Sequence, residues 1–127
     1  MSIFQIFLLV LAIYMVYLYL KRSLMSKNTK HYDAGEVKNK IKNNHNIILL
    51  DVRTYAERNK HAIKGSIHIP LHELTGRVEE LNKFKDKEIV CYCQSGNRSL
   101  SAAVKLKKRG FNSANLKGGI SNWNLNS

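Results

Sequence analysis

From Ile3 to Leu20 the chain reads IFQIFLLVLAIYMVYLYL, with Gln5 the single clearly polar side chain. This run governs everything else, because it removes itself from any water-soluble core. As a helix, eighteen residues span about 27 Å at 1.5 Å per residue, close to the ~30 Å hydrocarbon core of a bilayer. Phe4, Tyr17 and Tyr19 lie near its ends, where aromatic rings favour the membrane interface. No basic stretch precedes the run and no small-x-small cleavage site follows it, which argues against a removed signal sequence. A helix apolar on every face fits lipid better than a soluble core. Residues 1–22 are therefore expected to form a single-pass membrane anchor, with residues 3–20 in lipid. Residues 23–30 are expected to form a polar juxtamembrane linker. Lys21, Arg22, Lys27 and Lys30 all follow the run, so the positive-inside rule places the remainder in the cytoplasm.

That leaves residues 31–127 of the 127-residue chain for one modest core. The formal net charge is +12, and 17 basic and 9 acidic residues fall within 31–127. No nucleic-acid motif accompanies the charge, so it reads as a solvated surface and no nucleic-acid partner is expected. Cys91 and Cys93 are one residue apart and have no counterpart elsewhere. Such a pair neither staples a fold nor builds a zinc site, and it suits a reducing compartment. No metal and no cofactor is expected.

Short apolar runs alternate with helical patterns. Asp33 with Glu36 marks a helix start, and the helix should reach about Lys42 before Asn43–Asn46 breaks it. Ile47–Leu50, Glu88–Tyr92 and Ser113–Leu116 read as buried strands. Tyr55–Lys60 suits a short helix, and Ser66–Pro70 a short extended piece. Apolar residues at 71, 74, 78, 81 and 84 predict one amphipathic helix over Leu71–Phe84. A further helix spans Arg98–Arg109, with Leu100, Ala103, Val104 and Leu106 inward and Gly110 closing it. The predicted fold class is α/β, a mostly parallel sheet with helices on both faces.

Chemistry concentrates after the second strand, in Cys93-Gln94-Ser95-Gly96-Asn97-Arg98. A cysteine between a strand end and a helix start sits where ligands bind in open α/β sheets. The loop can aim several backbone N–H groups into one concavity, with Gly96 supplying a backbone angle other residues resist. Arg98 adds a permanent cation and the helix a positive dipole end. All favour a thiolate, the nucleophilic form of cysteine, and all attract an anion. Cys91, inside the apolar strand, reads as a small packed hydrophobe.

Residues from about His31 to Trp123 resemble a single-domain rhodanese, a sulfurtransferase whose active loop reads Cys-x-x-Gly-x-Arg-Ser. Three blocks carry the resemblance in order: Leu50-Asp51-Val52-Arg53 with Glu57; Ile63-Lys64-Gly65-Ser66-Ile67-His68-Ile69-Pro70; and Cys93–Ser99 followed by Gly110-Phe111 and Leu116–Trp123. The resemblance implies that Cys93 takes sulfane sulfur from a donor such as thiosulfate and passes it to a thiol acceptor. It implies that residues 94–98 hold the persulfide, with Asp51, Arg53 and Ser99 in support. A protein persulfide is a further candidate donor. Arg98 would brace the loop, with Asp51 as a candidate partner, a turn or cap role being the alternative for Asp51. Arg53 with Glu57 reads as a surface ion pair. Two positions depart from the family pattern. His61-Ala62 replaces Gly-His, so that histidine's role is not carried over and His61 reads as a surface residue. His68 replaces an asparagine and reads as a packed, hydrogen-bonded side chain. The rival readings are a non-catalytic binding module on this fold and a cysteine-dependent phosphatase or arsenate reductase. The latter family's loops place five residues between cysteine and arginine, one more than here.

Overall fold

The computed structural model describes residues 1–43 and 46–125. The described residues form α1 (Ile3–Lys27), β1 (Lys30–Tyr32), α2 (Ala34–Lys42), β2 (Ile47–Asp51), α3 (Tyr55–Lys60) and β3 (Ile67–His68). These are followed by α4 (Leu71–Arg77), a 3₁₀ segment (Val78–Phe84), β4 (Glu88–Tyr92), α5 (Asn97–Lys108), β5 (Asn112–Leu116) and α6 (Gly119–Leu125). The strands lie in the order β1-β5-β4-β2-β3, and every neighbouring pair is parallel.

Strand side chains alternate between the two faces, and both faces are covered. Ile89 and Cys91 of β4 pack with Leu74 of α4, Leu81 and the α5 residues Ala102, Ala103 and Leu106. Val90 and Tyr92 point the other way, into a cluster with Val37 of α2, Ile120 of α6 and Ile63. The α/β sheet with helices on both faces is the architecture expected from the alternation of elements.

Local signals explain most boundaries. Asp33 accepts the Glu36 N–H at 2.8 Å and starts α2. Thr54 and Glu57 form a reciprocal capping box on α3. Gly110, at φ +88°, ends α5: its N–H reaches the Lys107 carbonyl, and the Phe111 N–H that of Leu106. Of the break expected at Asn43–Asn46, Asn44 and His45 lie outside the described residues.

Three features differ from expectation. The single helix expected over Leu71–Phe84 is α-helical only to Arg77 and 3₁₀ beyond it. Gly76 weakens the α-helix, and the apolar residues 78, 81 and 84 recur every third position, the period of a 3₁₀ helix. Second, α1 runs on to Lys27, through most of the segment expected as a linker. Its last turns lie on α5: Lys107 Nζ donates to the Asn28 carbonyl at 2.8 Å. Val104, expected inward, is half-buried next to Leu24 and Met25 of α1. Third, Lys30–Tyr32 is an additional edge strand paired to Ala114–Leu116. Three residues without apolar alternation carry too little signal to be recognised before the fold is known.

Candidate active site

β4 is flanked by β5 on one side and β2 on the other, and the chain leaves its C-terminal end at Cys93. Cys93 is 1% exposed. Its Sγ accepts the Gly96 N–H at 3.0 Å and the Ser99 N–H at 3.4 Å, and the Ser99 hydroxyl lies 3.3 Å away. Gly96 holds φ +107°, which turns the loop tightly enough to aim these groups inward and to start α5 at the sulfur. Burial alone would push the thiol up. Hydrogen bonding with the Ser99 hydroxyl, and donation from the Ser99, Gly96 and Ser95 N–H groups, outweigh it, and the thiol lies below the ordinary cysteine range. Cys91, with no such donors, is fully buried and its thiol is pushed up by burial.

The rim of the loop is latched by α6. Ile120 N–H donates to the Cys93 carbonyl at 2.9 Å, and Ser121 donates to the Gln94 carbonyl through both N–H and hydroxyl. Gln94 returns a bond from Nε2 to Ser121 Oγ at 3.0 Å. This latch needs Gly119: at φ +62°, a Cβ there would lie 2.4 Å from the Cys93 carbonyl oxygen. The Gly118-Gly119 block thus serves the Cys93 loop by letting α6 approach it.

A family model for the rhodanese-like domain matches residues 33–126. The chain belongs to the rhodanese-like family. It is 33% identical over 92 residues to a sulfurtransferase from Allochromatium vinosum, covering 72% of this chain and 84% of that protein. The fold matches a rhodanese-related protein from Thermoplasma volcanium with a TM-score of 0.70 at 32% identity, over 77% of this chain and 93% of that one. It also matches a rhodanese-like domain protein from Staphylococcus aureus with a TM-score of 0.70 at 26% identity, covering 75% and 91% of the two chains. The family includes proteins named as sulfurtransferases, the Allochromatium vinosum relative among them.

The ion pairs around this rhodanese-like loop differ from those expected. Arg98 is not paired with Asp51. It grips Glu57 with both ends of its fork, Nη1 to Oε1 at 2.7 Å and Nη2 to Oε2 at 2.9 Å. Glu57, held by the Thr54 cap, is therefore committed to Arg98 and not to Arg53. The Arg98 guanidinium, before all else, pulls the Glu57 carboxyl down to about 2. Arg53 turns inward: Nε and Nη2 meet the two oxygens of Asp51 at 3.0 and 2.9 Å, with both residues at most 1% exposed. Residues two apart at a strand end share a side of the chain, which brings this pair together. Asp51 Oδ1 also accepts the Arg53 N–H at 2.9 Å, so the turn role holds as well. Tyr92 Oη and Arg58 complete the carboxylate's shell at 3.0 and 3.4 Å. Burial opposes the Asp51 charge, yet its bonds to Arg53 and Tyr92 keep the carboxyl below the usual range.

Other residues singled out from the sequence fall as follows. Ser99 is buried and donates to Asn115 Oδ1 at 2.6 Å. Asn97 Oδ1 accepts from Arg22 of α1 at 2.6 Å. His61 is exposed and contributes its carbonyl to Arg53 at 2.7 Å. His68 is half-buried, bonded through Nε2 to the Arg53 carbonyl at 2.7 Å and set edge-on to Tyr55. The sequence reading missed Tyr92, Arg58 and Asn115. Each lies in a different block, and only the sheet register brings them to the site.

The Glu57–Arg98 pair makes a pH prediction. Glu57 is depressed in the fold, so its contribution is complete above its ordinary value of 4.5 and is lost as pH falls towards about 2. Urea unfolding at several pH values should show Glu57→Gln less stable than wild type at neutral pH, with the gap closing between pH 4.5 and 2. A gap constant across that window would contradict the pairing.

Proposed function

We propose that this protein carries sulfane sulfur as a persulfide on Cys93, from an anionic donor such as thiosulfate to a thiol acceptor, at a membrane surface. The observation that supports the chemistry most strongly is the ring of N–H donors closed around a buried sulfur, with the Arg98 cation beside it. The Cys93 thiolate attacks the outer sulfur of thiosulfate. A new S–S bond forms, the original S–S bond breaks, and sulfite leaves with the electron pair. The N–H groups of residues 94–98 and of Ser99 then stabilise the charge on the bound sulfur. An acceptor thiolate, or cyanide in the laboratory, attacks the terminal sulfur, and Cys93 departs as thiolate. A protein persulfide can replace thiosulfate in the first step without changing the second. Four residues between Cys93 and Arg98 form a small ring, which suits a single sulfur atom better than a tetrahedral phosphate.

The membrane reading rests on α1, a 25-residue helix with no buried residue. In our reading it crosses the bilayer once, with the catalytic domain on the cytoplasmic side. Two measurements test these proposals. Purified full-length protein should release sulfite from thiosulfate in the presence of cyanide, and silence with every sulfane donor would overturn the sulfur-transfer reading. In membranes from expressing cells, the full chain should resist alkaline carbonate extraction and yield to detergent, whereas release by carbonate would remove the anchor.

A further inference from the structure

From Cys93, hydrogen bonds run unbroken to the edge strand β1. Cys93 Sγ meets Ser99 Oγ at 3.3 Å, and Ser99 Oγ donates to Asn115 Oδ1 at 2.6 Å. Asn115 Nδ2 meets His31 Nδ1 at 3.2 Å, and His31 Nε2 lies 2.8 Å from the Ser26 carbonyl of α1. Ser99 and Asn115 are buried, and His31 is half-buried.

The direction of this chain is fixed from its far end. A carbonyl only accepts, so His31 Nε2 carries a hydrogen. The Ser26 hydroxyl, 3.3 Å from the same nitrogen, is the more distant partner. Nδ1 of the neutral ring is then bare and accepts from Asn115 Nδ2, which turns Oδ1 towards Ser99. The Ser99 hydroxyl hydrogen is thereby used, and its oxygen can only accept from Cys93. This is the arrangement of a thiol.

A thiolate reverses each link between Cys93 and His31. The Ser99 hydroxyl must swing to the sulfur, which leaves its oxygen facing Asn115 Oδ1, acceptor against acceptor. Turning the Asn115 carboxamide over restores a donor to Ser99 and presents Oδ1 to His31 Nδ1, which must now hold a proton. We propose that His31, through Asn115 and Ser99, governs ionisation of Cys93, so that the thiolate forms together with the His31 imidazolium. Cys93 loses one proton, His31 gains one, and no other group changes charge. The inference rests on Cys93 acting as a thiolate nucleophile, and it makes His31 and Asn115 positioning residues.

The surrounding charges fit this coupling. Arg22 of α1 and Lys117 after β5, both cations, line the same cavity as His31. Lys30 and Tyr32, on the same strand, are both turned to Glu88. Arg98 and Cys91 are titratable groups that also interact with Cys93.

The test uses the full chain and no sulfur donor. The rate of Cys93 alkylation by iodoacetamide, followed by peptide mass against pH, gives the midpoint of thiolate formation. In His31→Gln, which keeps hydrogen-bonding capacity but cannot become a cation, the midpoint should rise by about one unit, the Coulomb scale of two charges coupled inside a protein. Identical midpoints would overturn the proposal. A second measurement needs no mutation: nitrogen chemical shifts of the His31 ring, before and after Cys93 alkylation at a pH where free Cys93 is ionised. Both ring nitrogens should carry hydrogen before alkylation and Nε2 alone afterwards, and an unchanged ring would overturn the proposal even if His31→Gln fails to fold. A shifted midpoint without sulfur transfer would keep the coupling and remove the sulfur reaction. Sulfur transfer with an unshifted midpoint would do the opposite.

Discussion

Cys93→Ser is expected to lower sulfur transfer by about a thousandfold or more, roughly 4 kcal/mol of barrier at 1.36 kcal/mol per tenfold. The substitution keeps the size and the hydrogen-bonding reach of the side chain, so the Gly96 and Ser99 N–H groups still find an acceptor. What it removes is an easily ionised, polarisable nucleophile. The loop can draw a thiol into the useful range, but a hydroxyl starts too high for the same donors to ionise. Thermal unfolding should therefore be nearly unchanged while cyanide-dependent sulfite release falls to background. Wild-type activity should also reach its plateau at a lower pH than an ordinary thiol would allow, because the Cys93 thiol lies below its usual range. Residual activity within tenfold of wild type would contradict the assignment of Cys93 as nucleophile.

The second large effect concerns stability. Asp51→Ala should destabilise the fold by about 3–5 kcal/mol, the cost of leaving one member of a buried ion pair alone. Arg53 would then keep its charge at 1% exposure with the His61 carbonyl and the face of the Tyr92 ring, but no anion, left beside it. Tyr92 Oη would also lose its acceptor on the carboxylate. β2 and β4 run side by side here, with Asp51 opposite Tyr92, so the damage falls at the base of the Cys93 loop. Chemical denaturation of the two proteins in parallel measures this. A loss below about 1 kcal/mol, the range of exposed pairs, would show that Asp51–Arg53 is not buried as described.

Much of this is legible in the sequence. Cys93, the Gly96 turn, the α5 start and the alternating sheet all followed from local patterns, because strand periodicity and turn chemistry are written in neighbouring residues. The partner of each charge was not. Asp51, Arg53, Glu57 and Arg98 were each singled out, yet the pairs form crosswise, Asp51 with Arg53 and Glu57 with Arg98. Choosing between them requires knowing that α3 folds back to place Glu57 over the first turn of α5, a tertiary fact with no local signature. The same holds for β1, whose three residues become a strand only because β5 offers an edge. The Gly118-Gly119 block could be quoted from the sequence, but its purpose emerged from the 2.4 Å approach of the Gly119 Cβ position to the Cys93 carbonyl.

The central claim is that sulfur resides on Cys93, and intact-mass spectrometry tests it most directly. Full-length protein incubated with thiosulfate, freed of excess donor and measured without reductant, should gain the mass of one sulfur atom. Fragmentation should place it on Cys93, and a thiol acceptor should remove it. No gain with thiosulfate, polysulfide or a protein persulfide, or a gain that persists in Cys93→Ser, would contradict it.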